Sequence, residues 1–110
     1  MSISAPKFPH AGETYLVRYS DELAAINAYS SDGKSISYEI TEGPYKGAKG
    51  TSELQWEALA DGLFLISWQE ADGSTVVHHE NYNTGISHAF FTTPIMAFFR
   101  LCGSLTKIAN

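Results

Sequence analysis

The sequence predicts an all-β fold, an eight-stranded antiparallel up-and-down barrel. Three observations predict it. The chain has 110 residues, the size of one domain, enough to bury roughly two-thirds of its unfolded surface. Short runs of alternating apolar residues recur about every ten residues with turn signals between them. No stretch carries the 3.6-residue apolar spacing of an amphipathic helix, and Pro94–Phe99 has room for one short turn only. Connections of hairpin length favour a meander over a Greek key, and eight strands enclose just enough space for side chains or one small ligand.

The elements follow in order. Residues 1–11, with Pro6 and Pro9, read as an N-terminal tail, because proline cannot donate to a strand ladder. Residues 12–110 read as a single barrel domain. Tyr15, Val17 and Tyr19 alternate with Leu16 and Arg18 in a first strand. A second runs from Leu23 to Tyr29 and ends at the tight turn Ser31-Asp32-Gly33. Ile36, Tyr38 and Ile40 mark a third, broken by Gly43-Pro44-Tyr45-Lys46-Gly47. Leu54, Trp56 and Ala58 mark a fourth before Asp61-Gly62. Leu63 to Glu70 is the strongest strand. The turn Ala71-Asp72-Gly73-Ser74 leads to Thr75–Tyr82, then Ile86–Thr92, then Phe98–Ile108, where Gly103 suits a bend.

Composition narrows the function classes. Charged residues are 17% of the chain and apolar residues 44%, a globular balance with few charges. The net charge is −5, and the seven basic residues are scattered. Nucleic acid and anionic membranes both require clustered basic side chains, so neither is an expected partner. No apolar run is long enough to span a membrane or to serve as a signal peptide. Cys102 is the single cysteine, which excludes an internal disulfide and a cysteine-based zinc site. A cytoplasmic protein without a cofactor is the expectation. Nucleophile-elbow, Walker and dinucleotide motifs are absent.

Aromatic residues reach 13%, and they must either fill a core or line a cavity. Strand parity predicts that Tyr15, Tyr19, Tyr38, Phe64, Trp68 and Phe91 face inward and that Tyr45 and Phe90 face outward. Glu70 follows Phe64, Ile66 and Trp68 at period two and so shares their face. Desolvation there would raise its pKa and suit it to deliver a proton; at the strand end it would instead be solvated. Tyrosine hydroxyls in a barrel can donate to a ligand. His79 is expected opposite His88 on the outer face. His78 points the other way, with Val76 and Glu80, so the three histidines do not converge on a metal.

The segment LFLISWQEADGSTVVHHENYNTGISHAFFTTP, residues 63–94, resembles the calycin-type (lipocalin-like) barrels of the phenolic acid decarboxylases and the related MoaF-like domains. The shared element is Ser67-Trp68-Gln69-Glu70-Ala71-Asp72-Gly73. ISYEITEGPYKGAKG, residues 36–50, and Arg18-Tyr19-Ser20-Asp21 resemble further parts of the decarboxylase chain. The resemblance implies a catalytic pair, Glu70 as proton donor and Tyr19 as its hydrogen-bonding partner. The first tyrosine and the arginine of the decarboxylase site fall on Val17 and Ala48, the second tyrosine on Tyr19. Tyr38, Trp68, Val76 and Phe91 fall on cavity positions. Residues 99–108 are similar to the closing strand of a MoaF-like barrel.

Together these readings predict that the barrel binds a small, partly apolar, aromatic organic molecule. Tyr15, Val17, Tyr38, Trp68, Val76, His78 and Phe91 are the expected ligand-binding residues. One alternative is a cofactor-free lyase or isomerase using Glu70. Another is a filled barrel acting as an oligomerisation or interaction module. A gap between the first and last strands would invite a homodimer.

Overall fold

The structure is a computed structural model, and it describes residues 6–110. Eight strands close into an antiparallel barrel in the order β1-β2-β3-β4-β5-β6-β7-β8. They are β1 Thr14–Ser20, β2 Leu23–Tyr29, β3 Ser35–Glu42, β4 Lys49–Ala60, β5 Leu63–Gln69, β6 Thr75–Asn81, β7 Ile86–Thr92 and β8 Phe98–Ala109. This is the meander predicted by the hairpin-length turns. No helix among the described residues is long and apolar enough to cross a membrane.

Closure is complete. Leu16 pairs with Thr106 and Val17 with Leu105, so β8 completes the ladder of β1, and the open edge that would invite a second copy is not there. His79 lies opposite His88 with ring centroids 6.0 Å apart, the outward cross-strand pair expected from the turn between them. β4 begins at Lys49, five residues before the run marked by Leu54. Its first stretch, Lys-Gly-Thr-Ser-Glu, has no apolar alternation because it edges the barrel mouth, where neither face is fully covered.

Inward positions follow strand parity. Tyr15 and Val17 on β1, Tyr29 on β2, Ile36 on β3, Leu54 on β4, Phe64, Ile66 and Trp68 on β5, Val76 on β6 and Leu105 on β8 form one buried cluster. Tyr19, Trp56, Tyr82 and Phe91 pack against it, half-buried. Tyr45 is exposed, and Phe90 stacks on Phe98 with centroids 6.4 Å apart, on the side opposite His78 and Val76.

The stretch read as a tail enters the barrel at Phe8, which is 1% exposed. Its ring meets Tyr29, Trp56 and Phe64 at centroid distances of 5.0, 5.4 and 5.4 Å. Pro6 and Pro9 do keep the segment out of the sheet, but a chain that cannot pair can still insert a side chain. Gly33 makes the room: a Cβ there would sit 2.9 Å from that of Phe8, and its backbone is left-handed at φ +74°. Phe8 therefore plugs the end of the barrel where β1 begins and β2 finishes. The other end is the mouth. Residues 1–5 of the expected tail lie outside the described residues.

Candidate functional site

Glu70 immediately follows β5 at the mouth. Its backbone is fixed by the β5–β6 turn, in which Glu70 N donates to Ser74 O at 2.8 Å and Gly73 N to Glu70 O at 2.9 Å. Asp72 Oδ1 accepts from Ser74 N at 2.8 Å and completes the turn. Parity brings the Glu70 side chain back toward Trp68, whose Nε1 donates to Glu70 Oε2 at 3.3 Å. Burial pushes the half-buried carboxyl above the ordinary carboxylate range. Bonds from Trp68 and Tyr38 pull it partly back, Asp72 pushes it up and His78 draws it down. The spacing leaves two placements open, inward and desolvated or solvated at the strand end, and the carboxyl lies between them, half-buried.

Tyr38 is the phenol that faces this carboxyl. Burial, and then the Glu70 charge, push its hydroxyl up to about 12. Its ring stacks on Trp68, with centroids 6.4 Å apart and planes inclined by 25°. The position across the ladder is Gly50, and a Cβ there would lie 2.6 Å from the Tyr38 hydroxyl. Glycine thus lets Tyr38 lie flat across β4, which is a close-approach role that the sequence alone did not mark.

Tyr19 is not Glu70's partner. It lies at the same end of the barrel, but its hydroxyl interacts with Ser87 and with the Glu80 charge; burial and Glu80 push it up while Ser87 pulls it down. Tyr15 is farther still. It belongs to the plugged end, where its hydroxyl donates to Glu13 at 2.5 Å and lies 3.0 Å from His10 Nδ1. Val17 is fully buried in the middle of the barrel. The residues gathered around Glu70 are therefore Tyr38, Trp68 and His78, with Val76 opposite Trp68 in the ladder and Phe91 opposite Val76.

From the mouth toward the plugged end, Ser74 in the β5–β6 turn and the inward residues of β6 make a polar row. Ser74, His78 and Glu80 are all buried, and Glu80 has no exposed surface. The His78 ring meets Trp68 edge-on at 4.8 Å. Ser87 Oγ donates to one oxygen of Glu80. The other oxygen, Oε2, has no hydrogen-bond partner, nor do His78 Nδ1 and Ser74 Oγ. His78 Nδ1 and Glu80 Oε2 lie 3.6 Å apart, beyond hydrogen-bonding range. Each such atom costs about 1–3 kcal/mol when left unpaired. Glu80 shares the parity of Val76 and His78, so its direction was legible. Its burial was not, because charged side chains rarely lie inside without a partner.

Two depressions open on the surface. One of about 310 Å³ lies at the plugged end between His10, Glu13, Tyr15, Tyr82, Leu105 and Lys107. One of about 620 Å³ lies beside the mouth, over Trp68 and Val76 and the outward row of Gln55, Ser67 and Val77. No group of three or more His, Cys, Asp or Glu side chains that could hold a metal occurs among the described residues.

Comparison with known proteins agrees with this architecture. A crystal structure from Burkholderia vietnamiensis, described as a putative beta-lactamase, is 46% identical, with a TM-score of 0.91, over 94% of this chain and all of that one. No curated protein matches. The MoaF-like family model matches residues 11–106. With its closed calycin-type barrel and that match along nearly its whole length, the chain belongs to the MoaF-like family.

Proposed function

We propose that this barrel binds a small, partly apolar aromatic molecule at its mouth, between Tyr38, Trp68, Val76 and Phe91, with Glu70 as the orienting polar group. The observation that carries this reading is the Glu70 carboxyl, half-buried against the indole of Trp68 and the phenol of Tyr38. A few polar groups in an apolar, aromatic wall are the usual makeup of a ligand site. Flat rings recognise flat rings, and the near-parallel Tyr38–Trp68 pair leaves a surface for a third.

The test uses the two indole N–H resonances of the full chain. Toluene, phenol and 4-hydroxycinnamate are titrated in turn. Binding at the mouth shifts the Trp68 resonance and leaves Trp56, beside Phe8, in place. No shift at Trp68 with any of the three rejects the reading.

A second reading, a cofactor-free lyase or isomerase, draws on the raised pKa of Glu70. It asks for a proton donor beside an aromatic substrate, which Glu70 and Tyr38 supply. Consumption of 4-hydroxycinnamate that is lost in Glu70→Gln supports it; no turnover by the unmodified protein sinks it. The description of the Burkholderia protein adds no support for lactam hydrolysis. Ser104 and Lys107 have the S-x-x-K spacing of serine β-lactamases, but they lie on β8, where residues three apart point to opposite faces. Lys107 Nζ instead bonds Glu13 at 3.3 Å.

A further inference from the structure

The inward face of β6 is unusual for a barrel core. Two of its three positions, His78 and Glu80, are polar and buried, as is Ser74 just before the strand, and each of the three carries an atom without a partner. Packing does not explain this row, because apolar side chains would fill the same space without loss. Nor do the neighbours satisfy it. Ser87 takes one oxygen of Glu80, Trp68 presents a ring edge to His78, and the Trp68 N–H is turned to Glu70. His78 Nδ1 and Glu80 Oε2 face one another across 3.6 Å. That gap is too wide for a direct bond, and one nitrogen or oxygen atom placed beside them reaches both. The gap is buried: Trp68 and Val76 lie between it and the mouth, and Glu80 pairs with Phe64 toward the plugged end.

We infer that His78 and Glu80 form the inner anchor of the site and hold a hydroxyl or primary amino group carried by the inward end of the ligand. This deepens the reading of the mouth as an aromatic site and rests on it. An amino group donates to both acceptors. A hydroxyl can donate to one of the two and accept from a ring N–H at the other. A carboxylate does neither, since it would meet Glu80 with like charge. The favoured ligand class is therefore a phenol or an aromatic amine, its ring against Trp68 and Tyr38 and its donor group between His78 and Glu80. Specificity of this kind comes from the buried atoms: a ring without the donor leaves them unpaired and is rejected.

The test compares phenol with toluene, which has the same shape without the donor, on the full-length chain. Affinity is measured by titration, and the ring resonances of His78 and the indole N–H of Trp68 are followed by NMR. Phenol is expected to bind at least about tenfold more tightly than toluene and to shift both residues. In Glu80→Gln the preference shrinks toward unity. Should that variant not fold, the His78 shift in the unmodified protein and its dependence on the phenol hydroxyl decide the matter alone. Equal binding of the two probes, with Trp68 shifted and His78 still, overturns the anchor and leaves the mouth reading intact. A crystal structure with phenol at the mouth and only a water between His78 and Glu80 does the same. No shift at either residue overturns both.

Discussion

The two ends of the barrel are built from the same kinds of residue and treat them differently. At the plugged end every aromatic ring has another ring against it. Phe8 sits among Tyr29, Trp56 and Phe64, and His10 stacks on Tyr82 at 3.7 Å. The polar tips are paired as well. Tyr29 and Tyr82 share a hydrogen bond of 2.9 Å, and Glu13 collects Tyr15, His10 and Lys107. Burial alone would push the Glu13 carboxyl up, but these three partners bring it below the ordinary range. At the mouth the rings are sparser, the Glu70 carboxyl is left raised, and Ser74 Oγ and His78 Nδ1 below it have no partner. An aromatic cluster with satisfied tips is structural; one with unsatisfied tips points to a ligand.

This contrast breaks most easily at Phe8. Phe8→Ala empties the plug and is expected to destabilise the fold by about 3–5 kcal/mol, a fall in melting temperature of at least about 12 °C. Probe binding at the mouth, measured well below the new melting temperature, should hold. Loss of binding along with stability would mean that the two ends are not separable.

Gly50→Ala sharpens the comparison from the other side. The added Cβ meets the Tyr38 hydroxyl at 2.6 Å, and the flexible ring moves away from Trp68. Binding of 4-hydroxycinnamate should weaken several-fold while stability changes by less than about 1 kcal/mol. A variant that binds normally would remove Tyr38 from the site.

The smallest effect is the pH dependence from Glu70. Its folded pKa is raised, so the folded state holds this proton to higher pH than the unfolded chain does. The stabilisation is full below the ordinary carboxylate value and is lost as pH rises through the raised one. Chemical denaturation across that window should show stability falling with pH, and Glu70→Gln should flatten the slope. An unchanged slope would place the carboxyl in solvent.

Much of this was legible in the residues. Period-two alternation located the strands and put Trp68 and Glu70 on one face, and the resemblance to the decarboxylase barrels pointed that face inward. What could not be read has physical causes. The pairing of Glu70 with Tyr38 rather than Tyr19 depends on how the sheet curls, which brings β3 beside β5 through β4. The plug was hidden because Phe8 stands between two prolines, where no periodic pattern announces burial. Glu80 was hidden by the rule that charges stay outside, which its full burial beside Ser87 breaks.

Closure of the barrel also governs how the chain must fold. Leu16 meets Thr106, so the seam joins strands from opposite ends of the sequence. The hairpins β2 through β7 are local and can form as they emerge. The seam pays the loop entropy of nearly the whole domain before any bond repays it. Phe8 rests on Tyr29, Trp56 and Phe64, which belong to β2, β4 and β5, so its seat does not depend on the seam. Docking of the plug and closure of the seam are then separate steps, and a fluorophore near Phe8 would time the first.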